Sequence, residues 1–229
     1  DFYTYPMFGE TEISSKEIIF LGYGIDTEVY SDYNISVEGK IIMIFSGEPK
    51  NKKGNYIVSG TNKKCPESNW KFKLNIAKEK GAQAVLFISN NYTSNYKKVE
   101  HKIEHPGVSL KQKEESIPFL YINENVSNAI LEKNKTEKLK QKIQTKQKSI
   151  NKTINKNLEL ITKNKDTTFT GHNVFGFIEG SDPELKNEII VITAHYDHIG
   201  IIDGLIHNGA DDNATGTAAL LEIAAAFQL

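Results

Sequence analysis

An α/β fold is the prediction of this sequence, and three observations carry it. Short apolar runs rich in β-branched residues recur along the chain, at EIIFLGYG (17–24), EGKIIMIFSGEP (38–49), AQAVLFIS (82–89), IPFLYI (117–122) and EIIVITA (188–194). Continuous runs of that kind mark strands covered on both faces of a parallel sheet. Segments with apolar residues at helical spacing lie between several of them. Glycine- and proline-bearing turns close many of the runs.

Taken in order, residues 1–15 (DFYTYPMFGETEISS) are aromatic and irregular, and predict no element. The run at 17–24 is a strand ending in a glycine-bracketed turn, and that at 38–49 a buried strand closed by Gly-Glu-Pro. Residues 50–67 are polar and read as an exposed loop. Ser68 is placed to cap a helix running through Lys80, with Trp70, Leu74 and Ala77 on one side and Gly81 at the stop. A strand at 82–89 follows, then a polar loop over 90–116, a strand at 117–122, and a helix opened by Asn123 and carrying Val126, Ile130 and Leu131. Residues 132–156 are lysine-rich. Leu139 and Ile143 stand at i, i+4, so part of this stretch reads as a short amphipathic helix in a solvated connector. NLELITK (157–163) and HNVFGFIEG (172–180) predict two further strands. A helix is predicted from about Thr215, with Leu220, Ile223, Ala224 and Phe227 on one face.

The chemistry concentrates after the last strand. HYDHIG (195–200) follows it at once, and GADDNATG (209–216) opens the last helix. His195 and Asp197 would therefore sit at a strand's carboxyl end, where ligands bind in open α/β sheets. On a strand the two side chains point the same way. Histidine and aspartate suit zinc. One economical arrangement has His195 on the metal, Asp197 holding its imidazole, and a carboxylate such as Asp212 bridging two ions. His101 and His105 are the right residue types for a metal, but no acidic or cysteine partner completes a set, and they read as part of a solvated loop.

AHYDHIG followed by NGADDNATGTAALLEIA resembles the di-zinc aminopeptidase family of bacterial leucyl aminopeptidases, whose relatives include glutamate carboxypeptidase. The resemblance covers about residues 165–229. It implies a three-layer α/β/α zinc-peptidase sandwich with two Zn2+ ions at the carboxyl edge of the sheet. It makes His195 a ligand of one zinc, Asp212 the bridge, and Asp197 the residue that orients His195. Asp211 is not carried over. The family's Glu-Glu pair, whose first member is the general base, and its further Asp and His ligands would lie beyond Leu229, so the chain reads as a fragment, inactive alone. GKIIMIFSG, KLNIAKEKGAQAVLFIS and IPFLYI, in that order, resemble an inserted protease-associated domain, which implies a lid or substrate-access module.

The domain plan is then residues 1–16 an N-terminal piece, unassigned or part of the peptidase, 17–130 the protease-associated domain, 131–156 a connector and 157–229 the first part of the zinc peptidase domain. The implied activity is that of a metallo-aminopeptidase acting on peptides with a free N-terminus, in the periplasm or outside the cell. A non-catalytic binding protein on the same fold and a related carboxypeptidase are the alternatives.

Composition bounds these readings. The net charge is −1 and all 28 basic residues are lysine, which gives no support for a nucleic-acid partner. No arginine can hold a substrate carboxylate in bidentate fashion. Cys65 is alone, so no internal disulfide forms, and it reads as an incidental or partly buried thiol. No apolar run approaches the length of a membrane span, and no signal peptide opens the chain.

Overall fold

The computed structural model describes residues 1–5, 10–104, 116–131, 135–163 and 168–227. They form two compact units, Asp1–Thr167 and Thr168–Leu229.

The first unit is built on a six-stranded sheet, ordered β1-β5-β4-β3-β2-β6. Its four central strands, β2 (Thr11–Leu21), β3 (Ile41–Phe45), β4 (Ala84–Ile88) and β5 (Phe119–Ile122), are parallel. Two antiparallel edges flank them: β1 (Phe2–Tyr3) on β5, and β6 (Asn151–Thr162) on β2. The apolar runs become the central strands because successive side chains point to opposite faces and both faces are covered. Ile18, Phe20, Met43, Phe45, Leu86 and Ile122 face one way, packing with Ile130 and Leu131 of α3 (Glu124–Leu131) and Leu139 and Ile143 of α4 (Lys135–Lys146). Ile19, Leu21, Ile42, Ile44, Val85 and Phe119 face the other way, against Leu74 and Ala77 of α1 (Trp70–Glu79). The unit is thus a mixed α/β sandwich with helices on both faces.

Several local expectations change. The α1 cap is Asn69, whose side chain accepts from Lys71 N. Ser68 ends a short 3-10 turn, Pro66–Ser68, instead. Residues 1–5 are not wholly irregular, since Phe2 and Tyr3 pair with Ile122 and Tyr121. The 90–116 stretch is not all loop: α2 (Tyr92–Glu104) occupies its first half. Tyr92, Tyr96, Val99 and Ile103 recur on one side of that helix, a stripe that the surrounding polar residues mask in the sequence. The lysine-rich segment is not a solvated connector, because Leu139 and Ile143 are buried in the core. Asn123 does open α3, its Oδ1 accepting from Val126 N at 3.0 Å.

The long β2–β3 connection is tied down by one buried carboxylate. Asp32 Oδ2 accepts from the backbone N–H groups of Tyr23 and Ile25, and Oδ1 from the Tyr30 hydroxyl. Gly22 has positive φ, and a side chain there would collide with Asp32 Oδ1 at 2.6 Å.

In the second unit, the expected strands at 172–180 and 188–194 are not formed. A strand exists only beside a hydrogen-bonded neighbour, and none of the described strands pairs with these runs. Their apolar side chains stand exposed, Val174 and Ile190 almost completely. The elements that do form are a hairpin, β7 (Gly200–Ile202) with β8 (Leu205–His207), a π-turn at Ala210–Ala214, and α5 (Thr215–Ala226). Asp203 and Gly204 both have positive φ, as a two-residue I′ turn requires. None of the described helices is long and apolar enough to cross a membrane.

Candidate metal centre

His195 follows the 188–194 run, while Asp212 lies in the turn leading into α5. Two contacts bring these segments together. Thr217, in the first turn of α5, points its hydroxyl back at the carbonyl of His195 (3.0 Å) and at that of Asn213 (3.2 Å). His198 rests on Gly209, where an added Cβ would lie 2.8 Å from the imidazole Cγ. A side chain at Gly216 would strike Asn213 Oδ1 at 2.2 Å. The glycines of GADDNATG thus allow close approach of His198 and Asn213.

The three side chains singled out in the sequence converge. His195 Nε2 is 3.2 Å from Asp212 Oδ1. On the other side of the ring, Nδ1 is 3.1 Å from the backbone carbonyl of Asp197 and 3.4 Å from Asp197 Oδ1. An Nδ1–H directed at Asp197 leaves the Nε2 lone pair on the side of Asp212. The orienting contact is therefore shared: the closer acceptor is the Asp197 carbonyl, and its carboxylate stands behind. This hydrogen bond, then the charges of Asp212 and Asp197, hold the His195 pKa above its ordinary value. All three side chains are exposed.

The donor set fits a zinc ion. Zn–N and Zn–O bonds near 2.1 Å at a tetrahedral angle separate the two donor atoms by about 3.4 Å. The observed 3.2 Å is close to that span. Only these two donors converge, however. Among the described residues no group of three or more His, Cys, Asp or Glu side chains is arranged to hold a metal ion. Asp211 has no part in the cluster. Its backbone carbonyl accepts from the Thr215 hydroxyl, and no side chain caps the start of α5. His101 lies on α2, in the other unit, and His105 lies outside the described residues.

Sequence reasoning missed Thr217. The signal was available: a threonine four residues after Asn213 in a helix's first turn can back-bond to the i−4 carbonyl. The Cys65 thiol is buried and pushed up to about 11, chiefly by burial, which opposes a nucleophilic role.

Residues 173–229 match the family model described as Peptidase family M28. Among solved structures, the chain is similar to the "Aminopeptidase from Aneurinibacillus sp. strain AM-1", with 14% identity and a TM-score of 0.34, over 72% of this chain and 32% of that one. The chain thus spans about a third of that relative's length. No curated protein matches it.

Proposed function

We propose that this chain is part of a zinc-dependent peptidase that removes N-terminal residues from peptides. His195 and Asp212 are two of its metal ligands. One observation carries the reading: within a segment that matches Peptidase family M28, His195 Nε2 and Asp212 Oδ1 meet at the span of two ligands on one zinc ion. Asp212 would offer its second carboxylate oxygen to a second ion. The Asp197 backbone carbonyl accepts a hydrogen bond from Nδ1–H, favouring the tautomer that leaves Nε2 free to coordinate. Zinc bound there would lower the pKa of its water toward neutrality and polarise a peptide carbonyl. The chain's own contribution is to hold the imidazole in place through Asp197 and to hold the His195 segment against α5 through Thr217. Catalytic zinc needs about three protein ligands, so the present pair binds zinc weakly and the chain alone hydrolyses nothing.

In this reading the first unit is the substrate-access module that the resemblance to a protease-associated domain implies. The complete protein works outside the cytoplasm on peptides with a free N-terminus. A charged, then apolar, then small-residue segment upstream of Asp1 would support export.

Zinc calorimetry on the chain and on His195→Ala tests the metal assignment. The chain has six histidines, so the difference between the two proteins is the informative quantity. One weak site lost in the variant is expected. Equal binding by both proteins would overturn the assignment.

A further inference from the structure

A cavity lies in the first unit, far in sequence from His195 and unrelated to the peptidase reading. It opens at the carboxyl ends of β3 and β4, beside the start of α1, and has a volume of about 550 Å³. That is within the range of small-molecule sites. In open α/β sheets this edge is also where ligands collect.

Aromatic rings make up much of its wall. Phe87 and Tyr121 stack at 5.1 Å between centroids, and Trp70 borders the same space. The polar side is set by Ser46, the first residue after β3. Its backbone is pinned: Ser46 N donates to the Ile88 carbonyl and Ser46 O accepts from Asn90 Nδ2. Yet its hydroxyl is buried and has no hydrogen-bond partner among the described residues. A buried hydroxyl left unsatisfied costs about 1–3 kcal/mol, so its persistence calls for an explanation. The remaining chemistry has one sign. Lys64 and Lys73 both line the cavity, and no Asp or Glu does. Lys73 is fully buried, with Nζ donating to the carbonyls of Phe45 and Gly47 beside Ser46.

We propose that this cavity binds a small aromatic carboxylate, its ring lying among Trp70, Phe87 and Tyr121 and its carboxylate accepting from the Ser46 hydroxyl on the lysine side. The aromatic walls supply apolar burial. The carboxylate supplies the acceptor that Ser46 Oγ lacks and a counter-charge beside the exposed Lys64. A free aromatic acid and the C-terminal residue of a peptide share this chemistry.

Trp70 is the only tryptophan, so its fluorescence reports on this cavity alone. The full chain would be titrated with N-acetylphenylalanine, with the corresponding amide, and with a tetrapeptide ending in phenylalanine. Calorimetry would supply an independent binding curve. Saturable binding of the acid is expected, with the amide at least roughly tenfold weaker, the loss of one charge-assisted hydrogen bond. Ser46→Ala and the exposed-site variant Lys64→Glu should each weaken the acid several-fold while circular dichroism stays unchanged. Tetrapeptide affinity close to that of the acid would identify a peptide C-terminus as the source, and a much weaker tetrapeptide a free acid. Acid and amide binding equally, or no saturable binding up to low millimolar in the folded chain, would overturn the proposal. Should Ser46→Ala fail to fold, unchanged acid binding in Lys64→Glu would also count against it.

Discussion

At the scale of single residues, three aspartates within sixteen positions have three different roles. Asp212 faces Nε2, whereas Asp197 faces Nδ1. Asp211 touches neither nitrogen and contributes a backbone carbonyl to the turn. Zinc bound per folded complete protein should therefore fall in order. Asp212→Ala should lose metal, and Asp197→Ala should weaken it by less than about tenfold, because the variant keeps the backbone carbonyl nearest Nδ1 and loses only the carboxylate behind it. Asp211→Ala should be mildest. Zinc lost from Asp211→Ala but kept by Asp212→Ala would shift the ligand assignment by one residue. Thr217→Val makes a separate point, because it removes the only tie from α5 to the His195 carbonyl that a side chain supplies among the described residues. Weaker zinc binding in that variant, with α5 helicity unchanged, would assign Thr217 a positioning role, and unchanged affinity would remove it. The proximity of His195, Asp197 and Asp212 was legible in the sequence, which sets them at the end of one run and the start of a helix. The bond of Thr217 to Asn213 was legible from its spacing, but its contact with His195 was not, because that contact spans 22 residues.

At the scale of elements, apolar runs translated well where the chain supplies sheet neighbours. The runs at 38–49, 82–89 and 117–122 contain strands of the parallel sheet, in register with one another. EIIVITA has the same character and forms no strand, since pairing depends on what lies alongside and not on the run itself. The opposite error concerned α4. Its lysines suggested a solvated connector, but each exposed lysine hides how completely the two apolar positions are covered. Ile143 is fully buried and Leu139 nearly so. Ile143→Ala should thus lower the unfolding free energy by about 2–5 kcal/mol, the usual cost of emptying a core site. Lys142→Ala, one position away on the outer surface, should change it by less than about 0.5 kcal/mol. Urea melts compare the two directly. Similar midpoints for both variants would mean that α4 does not belong to the cooperative core.

At the scale of the whole molecule, a cooperative core belongs to the first unit, and one buried charge couples that core to pH. Lys73 is wholly buried, and burial lowers its pKa to about 7, more than the nearby Asp32, Cys65 and Glu48 raise it. The unfolded chain keeps this amine near its ordinary value of about 10.4. Between those values the unfolded state binds the proton and the folded state does not, so stability rises with pH. Below pH 7 both states are protonated and the gain is absent. From pH 6 to pH 9 the contribution amounts to about 2–3 kcal/mol, one pKa unit being worth about 1.4 kcal/mol. The buried tyrosines act in the opposite sense, since pKa values raised to about 12 at Tyr3 and Tyr23 cost stability only as pH climbs past the ordinary phenol value. The Cys65 thiol, also raised, begins to oppose the trend just below pH 9. For the first unit the usable window is therefore pH 6 to 8.5, followed by Trp70 fluorescence, since His195, whose raised pKa acts in the opposite sense, belongs to the second unit. Urea midpoints of the unmodified chain should climb across it, while those of Lys73→Met should stay flat, because the variant has no proton to release. The carbonyls of Phe45 and Gly47 lose their donor in Lys73→Met, which lowers its stability at every pH without restoring a slope. A flat profile in the unmodified chain would mean that the ammonium stays charged in the fold, held by those two carbonyls against the cost of burial.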